Sequence, residues 1–148
     1  MTTHTYNSTL TWSGTTTDYD TYNRRHEVTL AATAMSLSAD AAFHGDPDLP
    51  NPEQLLVAAA SSCQMLSFLA VAARSGITVV GYQDHADAVM PEDQKPMRLT
   101  TMTLRPHVTA TATTTARVER ALHKAHQQCY IANTLTCEVL LEPTIEIL

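Results

Sequence analysis

The sequence predicts an α+β fold, and three observations carry this prediction. Two segments have helical composition and spacing, at about residues 52–75 and 113–135. Strand-forming runs lie before the first helix, between the two helices and after the second. Helices and strands therefore do not alternate regularly, which distinguishes the pattern from a doubly wound parallel sheet. A chain of 148 residues is most simply one domain, over residues 1–148.

The first helix has the clearest sequence signals. In NPEQLLVAAASSCQML, Asn51 suits the N-cap, Pro52 suits the first helical position, and Glu53 lies where the helix dipole favours a negative charge. The helix is predicted to run to about Ser75, with Gly76 as a left-handed cap. Its length of about 36 Å predicts a central place in the fold.

Strands are predicted on both sides of this helix. Residues 26–33, HEVTLAAT, alternate enough to predict a strand, and the Gly- and Pro-containing residues 38–51 predict a loop. Two β-rich runs, at 77–90 and 97–110, flank the turn-like PEDQKP, so they predict an antiparallel hairpin.

The second helix carries a cysteine on its apolar face. Val118, Leu122, Ala125 and Cys129 recur near helical spacing, so we expect Cys129 near the end of this helix, facing inward. Residues 137–148 then predict a closing strand.

Composition excludes several classes of partner. The chain has 9 Lys+Arg against 15 Asp+Glu and a formal net charge of −6, so neither nucleic acid nor an anionic membrane is an expected partner. No signal-peptide pattern and no run of 18 apolar residues occurs, so a cytoplasmic protein is expected. Three cysteines make an odd number, which favours reduced thiols over a disulfide scaffold.

Cys63 lies in a run of very small residues, AAASSC. Such a run lets either another helix or a small substrate approach closely. The alternative is that Cys63 is a small buried apolar residue without chemistry.

Five segments, in order along the chain, resemble those of one known family. They are YNRRHEV, FHGDP, NPEQLL, the cysteine ten residues after Glu53, and AHQQCYIAN. Together they resemble the OsmC/Ohr family of osmotically induced and organic hydroperoxide resistance proteins, over about residues 20–137. The resemblance implies antiparallel sheets around a long central helix and a second helix, in an intertwined homodimer.

The resemblance also implies a set of site residues. Cys63 would be the peroxidatic cysteine, Cys129 the resolving cysteine, and Glu53 with Arg24 the pair that activates Cys63. This chemistry needs a thiolate, which an adjacent cation favours, and an arginine keeps its charge at every relevant pH. Arg25 is the alternative to Arg24 as the residue that faces Cys63.

The implied activity is a thiol peroxidase that reduces organic hydroperoxides through a sulfenic acid and a disulfide. An external dithiol, for which the family uses lipoylated proteins, would restore the thiols, and no cofactor is required. Arg25, His44 and Tyr130 depart from the family pattern, so a non-catalytic, small-molecule-binding or stress-associated protein is the alternative.

A metal site is a further alternative. His123, His126 and Cys129 lie three residues apart, but such steps drift around a helix and no second pair of ligands supports them, so no metal is expected.

The spacing within the first helix bears on assembly. On one continuous helix, Glu53 and Cys63 lie about 15 Å apart along the axis, so Glu53 cannot assist the cysteine of its own chain directly. Two antiparallel copies would bring each Glu53 towards the other chain's Cys63. The prediction is therefore a homodimer whose sites are built from both chains.

Overall fold

The computed structural model describes all residues, 1–148, and the chain forms two compact units. The first unit comprises residues 1–55 and the second residues 56–148. The boundary lies in the first turn of the long helix. The prediction of one domain for the whole chain stays a prediction.

A three-stranded antiparallel sheet forms the first unit. Its order is β1–β2–β3, with β1 at Thr9–Thr11, β2 at His26–Leu30 and β3 at Thr33–Leu37. The sequence predicted one strand where the structure has a tight hairpin between β2 and β3. The turn uses Ala31 at φ 52°, and an alanine carries none of the Gly or Asn signals that mark such turns.

The segment after β3 is the predicted loop, closed by local hydrogen bonds. The side chain of Asp40 accepts a hydrogen bond from the Ala42 backbone N–H at 2.7 Å and caps a 3₁₀ turn, Ala41–Phe43. Gly45 follows in a tight position, because a Cβ atom there would lie 1.7 Å from the backbone oxygen of Ala39. The glycine in FHGDP is therefore required by space.

We expect Gly45→Ala to lower the free energy of unfolding by about 1–3 kcal/mol or more, because backbone atoms must move to admit the methyl group. Gly76→Ala is the matched control. A Cβ atom there has open space, and only the left-handed backbone opposes it, at a cost of about 1 kcal/mol. Urea unfolding of both variants checks the order, and equal losses would contradict it.

The long helix α1 spans Pro52–Arg74, within a residue of the predicted bounds. Its start is fixed by a reciprocal pair of hydrogen bonds, since Asn51 Oδ1 accepts from the Gln54 backbone N–H at 2.9 Å and Gln54 Oε1 accepts from the Asn51 N–H at 3.0 Å. Gly76, at φ 65°, ends it as predicted.

The second unit has two three-stranded sheets and two shorter helices. The sheet orders are β4–β7–β9 and β5–β6–β8. The bounds are Thr78–Asp84 for β4, Asp87–Val89 for β5, Thr101–Leu104 for β6, Pro106–Thr111 for β7, Thr115–Gln128 for α2, Tyr130–Thr134 for α3, Glu138–Leu141 for β8 and Thr144–Ile147 for β9.

The predicted hairpin is confirmed, although each of its arms divides between the two sheets. β4 pairs antiparallel with β7, and β5 pairs antiparallel with β6. The closing segment also divides, and β8 and β9 pair in parallel with β6 and β7. A parallel pairing is possible because α2 and α3 return the chain along the sheet before β8 begins.

One face of α1 and one face of α2 form the main core of this unit. Phe68 on α1 is fully buried, as are Val118, Leu122 and Ala125 on α2, and Val108 of β7 lies in the same cluster. The inward positions predicted for α2 are therefore confirmed.

The opposite face of α1 is apolar and open. Ala58, Ser62 and Leu66 are exposed, and Leu66 keeps 60% of its surface. α1 is long and apolar enough to cross a membrane by length and composition, with a mean hydropathy of 1.9 over 18 residues. The core helix of a soluble protein meets the same criterion.

Candidate active site

Cys63 and Cys129 are neighbours in the second unit. Cys63 is half-buried in the middle of α1, and Cys129 is fully buried at the break between α2 and α3. Cys129 has an extended backbone, and its N–H donates to the His126 carbonyl at 3.3 Å. Both thiols are free. The packing of α1 on α2 thus brings together two cysteines that lie 66 residues apart in the sequence.

The surroundings of Cys129 favour its protonated form. Burial is the largest effect and raises the pKa of the Cys129 thiol. The backbone N–H groups of Ala132 and Ile131 lower this pKa, while the Cys63 thiol raises it through a hydrogen bond and charge repulsion. The net effect is a raised pKa of the Cys129 thiol.

Tyr82 lies behind this pair. Burial raises the pKa of the Tyr82 hydroxyl strongly, and the charges of Asp84 and Cys129 add to the effect. Its ring packs against Phe68 at 5.9 Å between centroids. Tyr82 therefore places a neutral hydroxyl near the buried cysteine.

We expect the free energy of unfolding of the reduced protein to fall as pH rises above the ordinary thiol pKa of about 8.5. A raised folded-state pKa means that the native chain holds the Cys129 proton more tightly than the unfolded chain does. That stabilisation is present below the ordinary thiol pKa and is lost as pH rises through the folded-state pKa. Urea unfolding at about pH 7 and about pH 9.5 measures it.

Two variants serve as controls for this pH effect. Cys129→Ala should lose less stability over the interval than the wild type, whereas Cys137→Ala should lose as much. Cys137 is partly buried and packs against the smaller core cluster. Equal losses in all three proteins would contradict the prediction.

A cavity of about 280 Å³ opens at Cys63. Its walls are mainly apolar with one cation, and the lining residues are Cys63, Leu66, Ser67, Ala70, Arg74, Gln128 and Tyr130. Tyr130, where the family pattern has proline, is exposed and forms part of the rim. A small alkyl molecule fits such a space.

Arg24 and Glu53 lie together in the first unit. Both line a cavity of about 440 Å³, whose apolar wall includes Leu10, Trp12 and Phe43. The two predicted activating residues therefore share one cavity.

The Arg24 guanidinium is held in place by aromatic and backbone contacts. It stacks on the ring of Tyr22 at 3.6 Å and donates to the carbonyl oxygens of Tyr22, at 2.6 Å, and Tyr19. Its Nε atom is buried without a hydrogen-bond partner. Arg25 is exposed and donates to Ser36 at 3.2 Å, so of the two arginines Arg24 faces the cavity.

A polar pair beside the cysteines, a buried glutamine and a half-buried histidine, was not predicted from the sequence. Gln64 on α1 is fully buried, and its Oε1 atom lies 3.3 Å from Nδ1 of His126. The other ring nitrogen of His126, Nε2, lies 3.1 Å from the Val139 carbonyl oxygen. Both nitrogens are thus engaged within the protein, which explains the i, i+3 spacing of His126 and Cys129 without a metal. A glutamine on the apolar face of α1 was the only signal in the sequence.

The chain is similar to known proteins in both sequence and fold. The sequence profile described as OsmC-like protein matches residues 45–144. An OsmC-like protein of unknown function from Vibrio cholerae is 29% identical, with a TM-score of 0.86 over 95% of this chain and 99% of that chain. Comparison with curated protein sequences gave no match.

Two more distant structures share the fold. An organic hydroperoxide resistance protein from Elizabethkingia anophelis is 18% identical, with a TM-score of 0.72 over 99% of each chain. One from Legionella pneumophila is 17% identical, with a TM-score of 0.68 over 97% of this chain and 99% of that chain. The α+β fold predicted from the motifs is confirmed. Because the profile covers well over half of the sequence, the chain belongs to the OsmC-like protein family.

Proposed function

We propose that this protein is a thiol-dependent peroxidase that reduces organic hydroperoxides. The observation that carries the proposal is that the half-buried Cys63 lines a cavity together with Gln128 and Tyr130, the two chain neighbours of the buried Cys129. Two thiols in this arrangement can react in sequence, the accessible one with substrate and the buried one with the product of that reaction. The organic hydroperoxide resistance proteins of the same fold support this choice.

The proposed reaction has two steps on the enzyme. The Cys63 thiolate attacks the terminal peroxide oxygen, the O–O bond breaks, and the alkoxide leaves as an alcohol after taking a proton, while Cys63 becomes a sulfenic acid. The Cys129 sulfur then attacks the Cys63 sulfur, a disulfide forms, and the hydroxyl group leaves as water. An external dithiol reduces the disulfide by exchange and is itself oxidised to a disulfide.

Arg24 and Glu53 are proposed to hold the Cys63 sulfur as a thiolate. A guanidinium beside the sulfur favours the charged form, and Tyr22 and Tyr19 already hold the orientation of the Arg24 guanidinium. The cavity that Arg24 and Glu53 share in the first unit supports their acting as a pair. The apolar walls of both cavities favour alkyl peroxides over hydrogen peroxide.

A homodimer is proposed to complete each site. The exposed apolar face of α1, with Ala58, Ser62 and Leu66, is a surface that a second copy of the helix would cover. Small residues let two helices approach closely. Within one chain, Glu53 and Cys63 lie too far apart along the helix to act on each other. Antiparallel packing of two helices would bring Arg24 and Glu53 of one chain towards the cysteine of the partner.

The proposal includes a reducing environment and a dithiol partner. Free thiols that cycle through a disulfide need a reductant, so a cytoplasmic protein served by a dithiol, such as a lipoylated protein, is the arrangement proposed. The cycle uses no metal or organic cofactor.

One measurement tests the cycle directly. Reduced protein is mixed with one equivalent of tert-butyl hydroperoxide, alkylated and analysed by intact mass. The expected product has lost two hydrogens per chain, and peptide mapping should join Cys63 to Cys129. An unchanged mass, or a disulfide that contains Cys137, would contradict the proposal.

A binding function is the second candidate. The cavity of about 440 Å³ with an apolar wall and Arg24 at its edge would suit a small amphipathic ligand without any redox step. Under that function the mass stays unchanged after peroxide, so the same experiment separates the two candidates.

A further inference from the structure

We propose that His126 is a positioning residue for disulfide formation, acting through Gln64 to fix α1 against α2 so that the sulfurs of Cys63 and Cys129 meet. The proposal rests on the proposed function, because it concerns the second step of that reaction. It assigns a role to a buried glutamine and a half-buried histidine that take no part in the chemistry itself.

Gln64 is held from both ends by α2. Its Nε2 donates to the Leu122 carbonyl at 3.3 Å, and its Oε1 faces Nδ1 of His126 at the same distance. The side chain is fully buried beside the apolar core. A buried amide is expensive unless it is paired, so these two bonds lock one rotation of α1 onto α2.

His126 also connects this contact between α1 and α2 to the sheet. Its Nε2 donates to the Val139 carbonyl of β8 at 3.1 Å. The link therefore runs from α1 through the imidazole of α2 to β8. A lateral shift of either helix would break at least one of its hydrogen bonds.

The link lies directly beside both cysteines. Gln64 follows Cys63 in α1, and the His126 carbonyl accepts the backbone N–H of Cys129 at 3.3 Å. The contact between Gln64 and His126 therefore joins two backbone segments that each carry one of the cysteines. The cavity at Cys63 contains neither Gln64 nor His126, so substrate does not touch the link.

The donors and acceptors of Gln64 and His126 determine which hydrogen bonds this link can make. The Leu122 carbonyl fixes the Gln64 amide with its oxygen towards His126, because the flipped amide would set two oxygens face to face. Both ring nitrogens of His126 then face acceptors. The doubly protonated ring makes both hydrogen bonds, whereas the neutral ring makes one at a time.

A loosened link should affect the two steps differently. Attack on peroxide needs only an activated Cys63 and an open cavity. Disulfide formation needs the Cys129 sulfur in line with the S–O bond of the Cys63 sulfenic acid. A displacement of about 1 Å can slow such a reaction by about 100-fold. We therefore expect the second step to slow selectively.

The experiment measures the steps separately with tert-butyl hydroperoxide. Sulfenic acid formation is followed by mass in a Cys129→Ser background, and disulfide formation is followed in the presence of Cys129. His126→Leu and Gln64→Met should each slow disulfide formation by at least about tenfold and change sulfenic acid formation by less than about threefold. Gln64→Met keeps the side-chain shape and carries the test if His126→Leu fails to fold.

Two further variants make the result specific. His126→Asn places an amide N–H near the Nδ1 position, so it should restore disulfide formation to within about threefold of the wild type. His123→Asn, an exposed residue on the same helix, should leave both steps unchanged. Disulfide formation at the wild-type rate in Gln64→Met, equal slowing of both steps, or an asparagine variant as slow as His126→Leu would overturn the proposal. A wild type that forms no disulfide would instead overturn the proposed function, and this proposal with it.

Discussion

Cys63→Ser is expected to lower the rate of tert-butyl hydroperoxide reduction by on the order of 1000-fold or more. The reason is that a hydroxyl at this position remains protonated at neutral pH and attacks an O–O bond poorly, whereas the thiolate is a strong nucleophile. The substitution is nearly isosteric, and Cys63 is only half-buried, so the fold should be retained. Dithiol-dependent consumption of the peroxide measures the effect.

Matched serine variants separate the roles of the three thiols. Cys137→Ser should keep nearly full activity, because Cys137 packs in a core cluster apart from the reacting pair. Cys129→Ser should still form the sulfenic acid at Cys63 but form no internal disulfide. A Cys63→Ser protein that reduces peroxide at the wild-type rate would remove Cys63 from the mechanism.

Mixed dimers are expected to regain activity when Glu53→Ala chains are combined with Cys63→Ser chains. If each site takes Glu53 from one chain and Cys63 from the partner, every heterodimer has one intact site and one site that lacks both groups. Random assembly makes about half of the dimers heterodimers, so the mixture should recover roughly a quarter of the wild-type rate. Each parent variant alone should be much less active.

The control for this experiment is a mixture in which no intact site can form. Cys63→Ser chains are combined with Glu53→Ala/Cys63→Ser chains under the same refolding conditions, and no recovery is expected. Activity in the first mixture that does not exceed the average of its two parents would place Glu53 and Cys63 of one chain in one site. A monomer with full activity at micromolar concentration would contradict the shared site altogether.

Local signals in the sequence determined the bounds and the buried faces of the helices. The capping residue Asn51 and the terminating Gly76 act on their own backbone, so the bounds of α1 could be predicted to within a residue. Periodicity placed Val118 and Leu122 on the buried face of α2, because burial of a helix face follows its 3.6-residue repeat, and it predicted the burial of Cys129 just beyond the end of α2. Motif resemblance supplied the family, and the pairing of Cys63 with Cys129 stays a prediction.

Tertiary structure alone decided the contacts between distant segments. The parallel pairing of β8 with β6 and the division of each hairpin arm between two sheets depend on how α2 and α3 return the chain, which no local pattern encodes. Arg24 and Glu53 line one cavity although they lie far apart in the sequence. Gln64 and His126 lie 62 residues apart, and each alone has the appearance of an ordinary polar residue. Only folding buries Gln64 and half-buries His126, and the cost of leaving the buried amide unpaired is what makes their hydrogen bond specific.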